Sequence, residues 1–137
     1  MTKLEIKIAL YTLAGIIALV IVYFTVKLFK KSDGQNTVDE AKKAVKNNDL
    51  SYKKTTYDSW AERLFLAMQG AGTNTTTVFQ IVESLKTPSD WNQLVTSFGI
   101  KKSYWFEASL IGWLQDELST GEFNRVRSHL QKIGITL

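Results

Sequence analysis

Ile8 to Val26 reads IALYTLAGIIALVIVYFTV, nineteen residues without a charge and with Gly15 as the one strong helix breaker. Lys7 and Lys27 close the run at its two ends. At about 1.5 Å per residue such a helix covers about 28 Å, close to the hydrocarbon thickness of a bilayer. The stretch therefore predicts a single transmembrane helix. A cleaved signal peptide is the competing reading, because a lysine precedes an N-terminal apolar run. The exit Phe24-Thr25-Val26-Lys27-Leu28-Phe29-Lys30 lacks the small residues that a signal peptidase requires, and the run exceeds an ordinary h-region. Retention as an anchor is expected, with Ile8, Tyr11, Gly15, Tyr23 and Val26 marking the span. Tyr11 and Tyr23 stand near its opposite ends, where amphipathic rings prefer the headgroup layer.

Charge on either side sets the expected orientation. Lys27, Lys30 and Lys31 follow the span directly, with Lys42, Lys43 and Lys46 beyond, against Lys3 and Lys7 before it. Lysine resists translocation, so the C-terminal part is expected on the cytoplasmic or an equivalent inner side. The net charge of +4 has the same origin. Residues 1–50 hold eight lysines against five acids, whereas 51–137 hold nine Lys/Arg against eight acids. The basic excess flanks the apolar segment and gives no phosphate-binding face, so nucleic acid is not expected as a partner.

Composition removes further classes. Without cysteine there is no disulfide framework or thiolate metal site, and one histidine cannot build a His-rich zinc site. No Ser-His-Asp or Cys-His group announces itself, and no enzyme activity is expected. Apolar residues make up 45% of the chain, enough for a core in the part beyond the anchor.

Lys31-Ser32-Asp33-Gly34-Gln35-Asn36 is polar and reads as a linker. Thr37-x-x-Glu40 has capping-box spacing, and Val38, Ala41 and Val45 recur at helical intervals before Asn47-Asn48. The division expected is an anchor over 1–30, a linker with a short basic helix over 31–50, and a helical domain over 51–137.

Five helices are predicted in that domain. The first presents Tyr57, Ala61, Leu64, Phe65 and Met68 on one face and ends at Gly70; Thr73 is placed to cap a second, carrying Val78, Ile81, Val82 and Leu85. Thr87-Pro88-Ser89-Asp90 opens a third with a capping hydroxyl, a proline where no amide hydrogen is needed and an acid at the positive helix end. Gly99 stops it. A fourth carries Leu110, Trp113, Leu114 and Leu118, and Ser119-x-x-Glu122 offers a capping box to a fifth with Phe123, Val126, Leu130 and Ile133. No stretch alternates convincingly with a period of two, so the fold class is all-α: an anchor, a short linker and a compact five-helix bundle.

Ala61-x-x-Leu64-x-x-x-Met68-Gln69-Gly70-Ala71-Gly72-Thr73, then Ile81-x-x-x-Leu85, Phe98-Gly99 and Glu117-Leu118-Ser119, resembles an annexin repeat over residues 57–137. The resemblance implies a five-helix unit and calcium as a candidate cofactor. Its ligands would be the carbonyls of Met68, Gly70 and Gly72 with the side chain of Glu117, bridging the protein to phospholipid. Glycines let a backbone turn its carbonyls inward, and a hard cation takes oxygen ligands. Read from the residues alone, Gly70 and Gly72 make a tight interhelical turn and no cofactor is required.

Tyr104-Trp105-Phe106 is a candidate partner patch, with core packing as the competing reading. Trp60, Trp91 and Trp113 fall on apolar stripes and are expected in the core. Glu107, Asp116, Glu117 and Glu122 are the densest acids, but Asp116 and Glu117 are adjacent on a helix and are expected on different faces. His129 is expected at the surface. Asn74-Thr75-Thr76 is a glycosylation sequon that the expected orientation leaves unused.

Three function readings follow. The first is a non-enzymatic single-pass membrane protein whose helical domain is a protein-interaction or structural module at the bilayer surface. The second is calcium-dependent phospholipid contact of annexin type. The third is a membrane protein of a lipid-containing assembly, such as a virion with an internal bilayer, that links the membrane to the protein shell. The expected partners are the bilayer and a protein or assembly.

Overall fold

The computed structural model describes residues 2–104 and 106–137, with side chains omitted for 26–33. The anchor residue Val26 and the basic residues Lys27, Lys30 and Lys31 thus fall outside the described side chains, and Trp105 lies outside the described residues altogether. The chain divides into two compact units, one ending at Ser32 and one spanning Asp33–Leu137.

The first unit is helical. Helix α1 (Lys3–Ala44) supplies it and continues as the opening stretch of the second unit. Thr2 starts the helix in a reciprocal cap, its Oγ1 accepting from the Glu5 amide while Glu5 Oε2 accepts from the Thr2 amide. From Lys3 to Thr25 the helix is long and apolar enough to cross a membrane, 23 residues or about 35 Å. Every residue from Thr2 to Thr25 is exposed. Thr12 and Thr25 return their hydroxyls to backbone carbonyls of the preceding turn, which satisfies both donors in an apolar surround.

The linker expected over residues 31–36 is absent: helix runs through it. Gly34 is there for proximity. A Cβ on it would stand 3.3 Å from Ile100 Cδ1 and 3.4 Å from the Ser109 amide nitrogen. Gly34, Val38 and Ala41 are buried at i, i+4 and i+7, so the face that meets the core begins before Thr37, and Thr37 does not start a helix. Gln35 Nε2 donates to Asp39 Oδ1 one turn on, at 3.1 Å. A 3-10 turn at Asn47–Asp49 ends this opening stretch.

Five more α-helices follow: α2 (Lys54–Met68), α3 (Thr75–Glu83), α4 (Pro88–Phe98), α5 (Leu110–Glu117) and α6 (Thr120–Lys132). The described residues are mostly helical. α2 packs chiefly on α4 and then on α3, while α6 closes on α3. Tyr57, Leu64, Met68, Val78, Val82, Leu94, Leu110, Leu114 and Leu130 have no exposed surface, and Trp91 and Trp113 are buried with them. Trp60 is half-buried, edge-on to Tyr52 with ring centres 4.9 Å apart.

Two helices start where sequence spacing places them. Thr87 accepts from the Asp90 amide and Asp90 returns a carboxylate to the Thr87 amide; Ser119 and Glu122 do the same for α6. α3 departs from expectation, because Asn74 and not Thr73 is its cap, accepting from the Thr77 amide at 3.1 Å. Thr73 is engaged elsewhere.

A short antiparallel hairpin, β1 (Lys101–Lys102) and β2 (Glu107–Ala108), was not anticipated. Two-residue strands are too short to leave a readable alternation. Ser103 closes the turn: its amide donates to the Phe106 carbonyl at 2.8 Å, and its Oγ accepts from the Phe106 amide at 3.2 Å.

Candidate functional site

Residues with perturbed titration often mark sites of chemistry, and the enclosed ones here are Asp90 and its partner Tyr57. Burial alone would raise the Asp90 carboxyl. Hydrogen bonds from the Ser51 amide, the Tyr57 hydroxyl and the Lys86 amide overcome that and hold it below the usual carboxylate range. Burial, reinforced by the Asp90 carboxylate, pushes the Tyr57 hydroxyl up. Oδ1 accepts from Ser51 and Tyr57, and Oδ2 accepts from Lys86 at 2.8 Å and Thr87 at 3.2 Å. Both oxygens are committed. Asp90 is therefore a structural hub that ties the segment after α1 to the start of α4, alongside bonds from the Lys46 amide to Ser89 and from Thr87 Oγ1 to the Asp49 carbonyl.

His129 is likewise structural. Its Nε2 lies 3.0 Å from the Leu85 carbonyl, which only accepts, so that nitrogen carries the hydrogen and latches α6 to the end of α3.

The surface feature with mixed chemistry is an open cleft of about 920 Å³ in the 33–137 unit. Three segments border it. One is the turn between α2 and α3, contributing Gln69, Gly70 and Ala71; the second is the hairpin tip, with Lys102, Ser103, Tyr104 and Phe106; the third is α5, with Trp113, Asp116 and Glu117. Gly70 and Gly72 have φ of +122° and +89°, so the turn adopts backbone conformations that side-chain-bearing residues resist. Thr73 Oγ1 donates to Glu117 Oε2 at 2.9 Å and clips this turn to the end of α5.

The hairpin is held just as closely. Trp113 Nε1 donates to the Lys101 carbonyl at 3.1 Å, and the Phe106 ring stacks at a tilt on Trp113, with centres 4.5 Å apart. Gly112 permits the approach, since a Cβ there would fall 2.7 Å from Ala108 Cβ. Phe106 is thereby half-buried, whereas Tyr104 is fully exposed. Of the described members of the aromatic run, Phe106 thus packs partly against the core while Tyr104 is free to meet a partner.

The structure brings together two sets of residues that sequence reading kept apart: the glycine turn with Glu117, and Tyr104 and Phe106 of the aromatic run. It also corrects one expectation, because Asp116 and Glu117 both border the cleft. They end their helix, and the last turn offers two neighbours to one opening. Met68 contributes a buried side chain to the core. The anchor residues Ile8, Tyr11, Gly15 and Tyr23 lie on α1, far along the chain from the cleft, all exposed. Among the described residues no group of three or more His, Asp or Glu side chains is gathered for a metal ion. A smaller hollow of about 330 Å³, between the 37–44 stretch, α4 and the C-terminal residues, offers Glu40 as its one acidic side chain.

The cleft itself went unread in the sequence. Its signal, Tyr104 and Phe106 just before a two-residue strand, with Phe106 ten positions ahead of Asp116, carries no periodicity. No family model, curated protein or solved structure matches the chain.

Proposed function

We propose that the chain is a non-enzymatic single-pass membrane protein whose helical unit acts as a protein-interaction or structural module at the bilayer surface. The observation that carries this reading is the exposed, apolar stretch of α1 from Lys3 to Thr25, which is long enough to cross a bilayer. Exposing so much apolar surface to water is unfavourable by about 25 cal/mol per Å², and lipid removes that cost. The lysines after the span favour an inner, cytoplasmic-type location for residues 33–137. The committed hydrogen bonds of Asp90 and His129 support a non-enzymatic role, since both groups serve packing.

Alkaline carbonate extraction tests the anchor: the full chain stays in the membrane pellet, and recovery in the supernatant would reject the reading. The exposed Asn74 of the Asn74-Thr75-Thr76 sequon tests the side. In microsomes it stays unglycosylated if the helical unit faces the cytoplasm, and a glycan at Asn74 would reverse the orientation.

Calcium-dependent lipid contact of annexin type is a second reading, favoured by the Thr73 to Glu117 hydrogen bond that holds the carboxylate against the glycine turn. Calcium there would take backbone carbonyls of Met68, Gly70 and Gly72 with Glu117. Millimolar calcium would then raise the melting temperature of the full chain, and Glu117→Gln would abolish the rise. An unchanged melting temperature removes this reading.

A further inference from the structure

We propose that the face built from the end of α1, the start of α2 and the loop before α4 binds an acidic segment of a partner protein, a run of aspartate or glutamate side chains. The inference rests on the interaction-module reading above and names the chemistry of its partner.

The start of α4 gathers this face. Asp90 accepts from the Ser51 and Lys86 amides while Ser89 Oγ accepts from the Lys46 amide, which draws three segments to one place. Lys46, Lys53, Lys54 and Lys86 are carried there with them, all exposed. Between Ala41 and Tyr57 five lysines stand against one acid, Asp49. Lys86, separated from them in sequence by α2 and α3, joins them only in the fold, its Nζ over the Tyr52 ring at 5.4 Å. Asp90 makes no ion pair with any of them, because its oxygens accept from three amides and a hydroxyl.

Two observations point to an anion from outside. Elsewhere the chain pairs cations internally, Lys101 with Glu62 and Arg125 with Glu83, whereas among the described residues none of these four lysines is in an ion pair. α2 also starts against its own dipole. Lys53 caps it without a side-chain bond, Lys54 opens it and no acid stands in its first turn, while α4 and α6 each carry one there. Like charges gathered at a positive helix end disfavour folding, and an anionic partner offsets that cost. Carboxylates suit the face better than nucleic-acid phosphates. Its cations are all lysines, without an arginine fork, and the amides at the start of α4 are closed by Thr87 and Asp90. Tyr52 gives no platform for a base, since its hydroxyl bonds the Ser84 carbonyl and its ring meets Lys86 and Trp60. The stretch of α1 in this unit enters beside Ser109 at Gly34 and reaches Ser89 only at Lys46. That is about 16 Å of helix, beyond a screening length of about 8 Å, so the face lies away from the end at which the chain arrives from its anchor.

The test uses the full chain in phosphatidylcholine nanodiscs, titrated with fluorescein-labelled deca-glutamate. Anisotropy should rise saturably at about 100 mM salt, and the affinity should fall at least about tenfold at about 300 mM. Lys46→Gln, Lys53→Gln and Lys86→Gln should each weaken binding about threefold and the triple variant about twentyfold, with Arg63→Gln, exposed farther along α2, unchanged. Lys54→Glu should weaken binding and, without peptide, raise the melting temperature by about 1–4 °C, because it places an acid in the first turn.

No saturable rise, equal weakening by Arg63→Gln, or a lower melting temperature in Lys54→Glu would overturn the proposal. So would tighter binding of a deoxythymidine decamer, which would assign the face to nucleic acid. Loss of peptide binding when about a third of the lipid is phosphatidylserine would overturn it too and assign the face to anionic lipid. Carbonate extraction reads the membrane reading separately. A pelleted chain that does not bind glutamate overturns this inference alone, and a chain that binds glutamate yet appears in the supernatant overturns the anchor alone.

Discussion

Asp90 shows how one side chain organises a fold. Its four hydrogen bonds reach the segment after α1, the start of α2 and the loop before α4. Replacing it by Asn removes the charge and turns one acceptor into a donor facing amide hydrogens. Asp90→Asn should cost about 2–4 kcal/mol in chemical denaturation. The pH dependence has a definite sign. The carboxyl sits lower in the folded chain than in the unfolded one, so its stabilisation is fully present above the ordinary carboxylate range and fades as pH falls through the folded value. Acid titration of stability should therefore be less steep in Asp90→Asn than in the natural chain. Gly112 acts through volume instead. Gly112→Ala puts a methyl 2.7 Å from Ala108 Cβ and should cost about 1–3 kcal/mol, most of it regained in the double variant with Ala108→Gly.

At the scale of elements, the informative one is the stretch of α1 from Asp33 to Ala44. Its composition is that of a tether, yet Gly34, Val38 and Ala41 form a buried stripe. A tether would tolerate a charge at Val38. A core helix would not, and Val38→Asp should lower the stability of the 33–137 unit by at least about 2 kcal/mol, read as a shift in the denaturation midpoint. The helix starts at Thr87 and Ser119 were legible because a capping box is local: two residues three apart satisfy each other's amides whatever the rest of the chain does. The start of α3 was misjudged by one residue for the opposite reason. Thr73 and Asn74 are both competent caps, and the choice was made by Glu117, forty-four positions away, which takes the Thr73 hydroxyl.

At the scale of the whole molecule, the division at Ser32 and Asp33 predicts a separable behaviour. A chain beginning at residue 33 keeps every residue of the buried core. It should be recovered in the carbonate supernatant and melt cooperatively, while the full chain stays with the membrane. Failure of the shorter chain to fold would mean that the residues before Asp33 contribute to its stability, although residues 2–25 are exposed.

Sequence by itself determined the apolar helix, the helical character of the remainder and the residues of its core. Each of these follows from composition or from a period shorter than two turns, and such local preferences are set before the chain folds. Only the tertiary structure decided that residues 33–44 belong to the core, that a hairpin interrupts the helices, and that a glycine turn, an aromatic tip and two carboxylates border one cleft. Those facts depend on which distant surfaces meet, as Gly34 meets Ser109 and Thr73 meets Glu117. Contacts of that kind leave no period in the sequence, because their geometry exists only once the helices have packed.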